Sequence, residues 1–271
     1  MTSNQPSVPV STSIEPTLQK EQRQLYSDVL SVLSACEVPH AVSGAFALQK
    51  HTGIWRMTKD LDIFLTAETL STALEQLGQR GFACEICDPV WLAKVHRGEF
   101  FVDFITGMSN ATIIVTDSWI SRAKAAILMD VNTRILAAEE LLASKLFVAR
   151  RERFDGADIA HVIYGTKGKI DWERVLELAG VHWEMLLWAL LLYRYVYPAQ
   201  SHYVPVFIWT SLIDRLMSKL ASPDPTARFR GTLVDENMFA IDVDEWGLDD
   251  ILSEYRSCRL KQMFPPDSNV A

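Results

Sequence analysis

The sequence predicts a mixed α/β fold that is followed by a mainly helical C-terminal region. The first observation is the segment 60–65, where apolar residues alternate with two acids as they do along a half-buried β-strand. The second is the segment 100–105, which is apolar except for one acid and is typical of a central strand. The third is helical periodicity before, between and after these segments. We therefore expect an α/β core over residues 17–136 and a mainly helical region over residues 137–271.

The composition fits a folded protein and limits its class. With 271 residues, of which 49% are apolar, the chain can bury a substantial core. A net charge of -8 gives no basic surface of the kind expected for general nucleic-acid binding. The four cysteines are too few for a disulfide framework, which predicts reduced thiols and a cytoplasmic location. The apolar run 185–192 falls well short of the roughly 20 residues that span a bilayer, so it predicts a buried helix.

The first elements lead to the acidic strand. Residues 1–16 are rich in Ser, Thr, Pro and Gln, which predicts a disordered lead-in rather than a signal peptide. Helical spacing predicts a helix over 18–36, and a short strand is expected at 40–43. A short helix over 45–51 would aim its N-terminal N–H groups at an anion bound above Gly44.

The later helices and strands are predicted from the same helical and strand periodicities. A helix is predicted over 68–80, a strand over 82–86, and weaker strand patterns lie at 112–115 and 133–136. A helix is predicted over 138–151, and a separate one ends at residue 163. The remaining helices are predicted from a cap at Asp171 to residue 179, over 181–195, and over 207–220.

Three acids on the two predicted strands are candidate metal ligands. Asp60 and Asp62 lie two residues apart, so a strand places both side chains on one face. Carboxylates held that close repel each other and favour a hard divalent cation such as Mg²⁺ or Mn²⁺. Asp103 lies within the apolar strand, where a buried acid needs a metal, a cation or a hydrogen-bond network. The alternative for Asp103 is a partly exposed position that faces solvent.

These segments resemble the nucleotidyltransferase superfamily, which has a polymerase-beta-like fold. Its signature is a Gly-Gly or Gly-Ser turn, an Asp-x-Asp or Asp-x-Glu strand, and a third acid on a later strand. Here the three elements are Ser43-Gly44-Ala45, Asp60-Leu61-Asp62 and Val102-Asp103-Phe104. The resemblance implies a small mixed sheet flanked by helices, with Ser43, Gly44 and Ala45 at the phosphates. Ala45 replaces the usual Gly or Ser, and this removes a hydroxyl that binds phosphate in such turns.

More narrowly, the segment 44–62 looks like the bacterial branch that contains the AbiEii-type toxins, which implies a toxin–antitoxin-like setting. The second half of that pattern is similar to Lys145 followed by Asp155 or Asp158, and the resemblance implies that these residues complete the site. Which of the two acids takes part is left open. The alternative for Lys145 is an ordinary solvated helix face with i,i+4 ion pairs.

Two cations directly precede the acidic strand. Arg56 and Lys59 are placed to hold the β and γ phosphates or the departing pyrophosphate. Their alternative role is to balance the charges of Asp60 and Asp62 without a metal.

Two further patterns have simpler explanations. Cys84-Glu85-Ile86-Cys87 has the spacing of half a zinc or redox site, but no second pair completes it. Asp242-Val243-Asp244 is a second Asp-x-Asp, but no glycine turn precedes it, so we interpret it as solvated charge.

The resemblance implies a metal-dependent nucleotidyltransferase that moves an NMP group from an NTP to an acceptor hydroxyl and releases pyrophosphate. Asp60 and Asp62 would hold the metal on the triphosphate, and Asp103 would hold a second ion and activate the acceptor. The acceptor is left open among a small molecule, a protein and a tRNA, and no membrane partner is expected. The alternative is a catalytically inactive binding or regulatory module of the same fold, such as an antitoxin or a sensor.

Overall fold

The computed structural model describes residues 18–264, so the predicted disordered lead-in over residues 1–16 lies outside the described residues. Within the described range, a seven-stranded mixed sheet is flanked by helices and followed by a helical C-terminal region. The predicted fold class is therefore confirmed.

The sheet combines parallel and antiparallel neighbours. Its strands are β1 (Ala41–Val42), β2 (Asp60–Phe64), β3 (Ala83–Asp88), β4 (Leu92–Arg97), β5 (Phe100–Ile105), β6 (Lys124–Leu128) and β7 (Val131–Ile135). The order across the sheet is β3-β4-β5-β2-β1-β7-β6. The β2–β5 and β1–β7 pairs are parallel, and the other neighbours are antiparallel. The two strands with predicted acids therefore lie side by side in the middle of the sheet.

Helices cover the sheet and build the C-terminal region. They are α1 (Lys20–Ala35), α2 (Gly44–Thr52), α3 (Ala67–Gly78), α4 (Asp117–Arg122), α5 (Ala138–Lys145), α6 (Gly156–Gly165), α7 (Trp172–Ala179), α8 (Trp183–Val196), α9 (Val206–Ala221), α10 (Gly231–Val234), α11 (Ala240–Asp244) and α12 (Ile251–Met263). Short 3₁₀ turns lie at Gly180–His182 and Pro198–Tyr203.

Most predicted elements are present within a few residues of their predicted bounds. β5 has the predicted bounds, and Asp171 caps α7 by accepting a hydrogen bond from the Arg174 backbone N–H. The structure adds elements that were not predicted individually, namely β4, α4, β6, α10, α11 and α12. The strand predicted at 112–115 is wrong, because that segment forms only an isolated bridge between Gly107 and Ile114.

The prediction of a helix over 138–151 is wrong at its C-terminal end. Helix α5 ends at Lys145, and the chain then forms a tight hairpin in which the N–H groups of Arg150 and Arg153 donate to each other's carbonyl oxygens. The Asp155 N–H donates to the Val148 carbonyl oxygen at 2.8 Å. This hairpin lets α5 and α6 meet at the site described below.

One buried apolar cluster includes side chains from the sheet and from the helical region, such as Leu61 and Phe104 with Leu142, Ile159 and Leu190. The predicted division at residues 136 and 137 falls between β7 and α5, and it stays a prediction.

Among the described residues, the segment Trp172–Val196 is long and apolar enough to cross a membrane by length and composition. It is not one straight helix, because the 3₁₀ turn Gly180–His182 separates α7 from α8. Leu186, Leu190 and Tyr193 of α8 are fully buried, as predicted for a core helix.

Candidate active site

A glycine turn lies directly against the acidic strand. The Ser43 N–H donates to the Asp62 carbonyl oxygen at 2.8 Å, which fixes the turn on β2. Gly44 has φ of 55°, and a Cβ atom there would lie 1.8 Å from Asp62 Oδ2. Only glycine allows both this backbone conformation and this close approach. Helix α2 begins at Gly44, beside the Asp62 carboxylate.

The structure brings together the three predicted acids. Parallel pairing of β2 with β5 places Asp62 opposite Asp103, and Asp60 shares a face of β2 with Asp62. One carboxylate oxygen from each acid lies within 4.8 Å of the other two. Burial raises the pKa of Asp62 to about 7, and the negative charge of Asp60 contributes to this rise. Burial also raises the pKa of Asp103.

This donor set fits a divalent metal. Mg²⁺ and Mn²⁺ prefer oxygen ligands, and all three acids offer carboxylate oxygens at one place. Burial is the main cause of the raised pKa of Asp62, and the negative charge of Asp60 adds to it, so the cluster favours a bound proton or cation. Among the described residues, neither Cys84 nor Cys87 belongs to a group that can hold a metal.

Lys94 is a partner of this cluster that sequence reasoning missed. It lies on β4 opposite Asp103, and its Nζ donates to Asp103 Oδ1 at 2.8 Å. The Asp103 side chain is 13% exposed and lines the cavity described below, where it has Lys94 as its cationic partner. The polar and apolar alternation over Leu92–Arg97 and the following Gly98 are the signals that could have located a hairpin and this pairing.

A second charged wall forms where α5 meets α6. Lys145 Nζ lies 2.6 Å from Asp155 Oδ2 and 3.2 Å from Asp158 Oδ2. The Lys145 side chain is 11% exposed, which excludes the solvated-helix alternative. Burial raises the pKa of Asp155, but the positive charges of Lys145 and Arg153 outweigh it and hold this pKa below its usual range. Because both acids contact Lys145, the choice between them stays open.

Three arginines extend this wall. Arg56, which was predicted, forms an ion pair with Asp158. Arg153 donates from Nε and Nη2 to the two Asp155 oxygens at 3.1 and 3.0 Å, and Arg150 donates to Ser109 Oγ at 2.7 Å. Sequence reasoning missed Arg150 and Arg153 as site residues, because it predicted a helix over 138–151 where the structure has the hairpin.

Lys59, the other predicted cation, is not part of this charged wall. Its side chain is 69% exposed, and its Nζ lies 3.4 Å from Glu99 Oε2. Lys59 lies in a bend directly before β2, and it does not line the cavity that the three acids face. This position does not support the predicted phosphate-binding role.

The acids and the cations face one cavity of about 490 Å³. Nine of the ten predicted site residues line it, namely Ser43, Gly44, Ala45, Arg56, Asp60, Asp62, Asp103, Lys145 and Asp158. Arg150, Arg153 and Asp155 line it too, together with apolar side chains that include Trp91, Met108 and Phe147. An acidic cluster that suits a metal thus faces a wall of cations that suits phosphates.

A glycine turn, three strand carboxylates and facing cations define the kind of site that phosphoryl-transferring proteins use. Residues 22–183 match the family described as nucleotidyl transferase of unknown function (DUF2204), and the chain belongs to this family. The narrower AbiEii-like assignment stays a prediction.

Solved structures show distant similarity. The antibiotic-resistance factor ANT(2'')-Ia is 14% identical, with 66% of this chain and 99% of that chain covered and a TM-score of 0.43. A nucleotidyltransferase-like protein from Paracoccidioides brasiliensis is 17% identical, with 69% and 94% covered and a TM-score of 0.45. JHP933 from Helicobacter pylori is 13% identical, with 91% of each chain covered and a TM-score of 0.39. Likenesses at this level carry no argument about function. No curated protein matches the chain significantly.

Proposed function

We propose that this protein transfers an NMP group from an NTP to an acceptor hydroxyl, with release of pyrophosphate, and that it requires Mg²⁺ or Mn²⁺. The observation that carries the proposal is the convergence of Asp60, Asp62 and Asp103 within 4.8 Å beside the Gly44 turn. Family membership supports nucleotidyl transfer in general. The metal is inferred from the three acids, and the NTP and the acceptor hydroxyl are what the resemblance to nucleotidyltransferases implies.

The reaction needs charge neutralisation and alignment more than covalent participation of the protein. A divalent cation held by the three acids would neutralise phosphate charge and orient the triphosphate. Asp103 would accept the proton of the acceptor hydroxyl, and the hydrogen bond from Lys94 would orient its carboxylate. The acceptor oxygen forms a bond to the α-phosphorus while the bond from that phosphorus to pyrophosphate breaks. Lys145 and the arginines would stabilise the negative charge on the departing pyrophosphate.

The test uses the full chain and each of the four α-³²P-labelled NTPs with Mg²⁺ or Mn²⁺, alone and with a cell extract. We expect label in one fraction, whether small molecule, protein or RNA, and this fraction identifies the acceptor class. The double variant Asp60→Asn/Asp62→Asn should lose at least about 100-fold in rate, as expected when charge stabilisation at the reacting phosphate is removed. The matched control is Asp242→Asn/Asp244→Asn, which removes the other Asp-x-Asp pair from α11 and should keep full activity.

Two outcomes would overturn the proposal. One is equal transfer by the wild type and the Asp60→Asn/Asp62→Asn variant. The other is no transfer together with NTP binding that calorimetry finds independent of Mg²⁺ and Mn²⁺. The second result would favour the non-catalytic binding module.

A further inference from the structure

The connection from α2 into β2 leads directly to Asp60, the first of the three acids. Residues 53–59 belong to no helix or strand, and Asp60 is the first residue of β2. The position of the Asp60 carboxylate therefore depends on the contacts of this connection as well as on the strand. Two side chains, one within the connection and one on α1, supply such contacts.

The hydroxyl of Thr58 makes two hydrogen bonds with Asp60. Thr58 Oγ1 donates to Asp60 Oδ1, and it accepts from the Asp60 backbone N–H at 3.4 Å. Both residues line the catalytic cavity. Carboxylates that bind metals are commonly held by hydrogen-bond partners of this kind, which fix their orientation. The Thr58 hydroxyl therefore restricts how the Asp60 carboxylate can meet a metal.

A buried glutamine on α1 holds Thr58 in turn. Gln22 Nε2 donates to the Thr58 carbonyl oxygen at 2.6 Å and to the Tyr26 hydroxyl oxygen at 3.1 Å. Gln22 Oε1 accepts from the Gln19 backbone N–H at 3.3 Å. Gln22 is only 4% exposed, and these contacts satisfy both ends of its amide, as burial of a polar group requires. The amide therefore fixes the position of Thr58 relative to α1.

Tyr26 shows that this network lies beside the acidic cluster. Its side chain is fully buried, and its ring packs edge to face against Phe46 of α2 with centroids 6.1 Å apart. Burial raises the pKa of Tyr26, and the negative charges of the three acids contribute to this rise. The Tyr26 hydroxyl therefore stays protonated, and its oxygen is a stable neutral acceptor for Gln22.

We propose that Thr58 and Gln22 are positioning residues for Asp60 as a metal ligand. Thr58 orients the Asp60 carboxylate through its hydroxyl, and Gln22 keeps Thr58 in place through its buried amide. Their effect on metal binding and on the reaction passes through Asp60. The inference rests on the proposed function, because it concerns the metal that this function requires.

The test measures binding of Mn²⁺ to the full chain, without nucleotide, from the EPR signal of free Mn²⁺. Thr58→Val removes the hydroxyl but keeps the shape of the side chain. We expect its affinity for Mn²⁺ to fall by about 10-fold, as is common when a partner that orients a metal ligand is lost. Thr58→Ser keeps the hydroxyl and should restore the wild-type affinity. The matched control Thr166→Val removes a hydroxyl that donates to the Val162 carbonyl oxygen at 2.8 Å outside the cavity lining, and it should bind Mn²⁺ as the wild type does.

Gln22→Met should also weaken Mn²⁺ binding, by a smaller factor because the Thr58 hydroxyl remains, and it decides the matter where Thr58→Val does not fold. Wild-type affinity in Thr58→Val or in Gln22→Met would overturn the inference and leave the proposed function intact. An equal loss of affinity in Thr58→Val and Thr58→Ser would do the same, because the hydroxyl would then be unimportant. A wild type that binds no Mn²⁺ would contradict the proposed function itself, and this inference with it.

Discussion

At the scale of single residues, Gly44 controls the geometry of the acidic cluster. Its positive φ is one constraint, and the 1.8 Å that would separate an added Cβ atom from Asp62 Oδ2 is another. The positive φ would strain the backbone of any larger residue. The short distance would displace the Asp62 carboxylate, which is a candidate metal ligand. A comparison with another glycine of positive φ separates them.

We expect Gly44→Ala to lower stability by about 1–2 kcal/mol through left-handed backbone strain and also to displace the Asp62 carboxylate. Transfer activity should fall by at least about 100-fold, since a misplaced group at a reacting centre has a large effect on rate. Denaturation in urea and release of pyrophosphate measure the two effects.

The matched control is Gly98→Ala, in the turn between β4 and β5. Gly98 has φ of 63°, but a Cβ atom there meets no neighbour within 4 Å. Gly98→Ala should lower the free energy of unfolding by a similar amount and keep the transfer activity of the wild type. Similar losses of activity in both variants would show that the contact with Asp62 is unimportant.

At the scale of elements, the region where α5 meets its neighbours depends on buried charges. Glu140 is fully buried between Arg122 and Arg174, and the Glu139 carboxylate accepts a hydrogen bond from the Asp171 N–H. Their partners on α4 and α7 hold the helical region on the core, and the early end of α5 leaves Lys145 between Asp155 and Asp158.

Replacing Lys145 with Met should leave Asp155 and Asp158 without their shared cation. Removing one partner of a buried ion pair costs about 3–5 kcal/mol, and we expect about 2 kcal/mol because Arg56 and Arg153 still contact the two acids. Urea denaturation measures this loss, and calorimetry should find weaker binding of ATP with Mg²⁺.

Lys59→Met is the control for this variant. Lys59 forms an exposed pair with Glu99, which contributes between about 0 and 1 kcal/mol. Its stability and its affinity for ATP should stay near those of the wild type. If Lys59→Met weakens ATP binding as much as Lys145→Met does, the charged wall where α5 meets α6 does not bind the phosphates.

At the scale of the whole molecule, buried histidines connect stability to pH. His40 is 6% exposed, and its ring nitrogens contact the Val38 carbonyl oxygen and Thr133 Oγ1. Burial lowers the pKa of His40, and burial also lowers the pKa values of His51 and His182. Below pH of about 6.5 the unfolded chain therefore binds more protons at these positions than the folded protein does.

The contribution of these three histidines to stability should thus be fully present above pH of about 6.5 and should fall as the pH decreases below it, whereas Asp62, with its pKa raised to about 7, contributes in the opposite direction over this range. The contribution of each histidine should decrease between pH 6.5 and 5.5, because burial lowers its pKa in the folded protein. His40→Gln should reduce this dependence, whereas His202→Gln, at an exposed position, should keep it. Urea denaturation at pH 7.5, 6.5 and 5.5 measures these differences, and equal pH dependence of all three proteins would contradict the explanation.

Local patterns in the sequence determined much of the core and of the acidic cluster. Alternation along β2 fixes that Asp60 and Asp62 share a face, and an acid within an apolar strand identifies Asp103. The spacing from Gly44 to these acids sufficed for the resemblance to nucleotidyltransferases. These features depend on neighbours along one strand or turn, so the sequence contains them.

Only the tertiary structure decided which cations meet these acids. Lys94 reaches Asp103 through pairing of β4 with β5, and Arg153 reaches the cavity because α5 ends early and a hairpin follows. Lys59 adjoins Asp60 in the sequence but is largely exposed and pairs with Glu99. Such contacts link residues that are distant in the chain, and they depend on packing that no local period encodes.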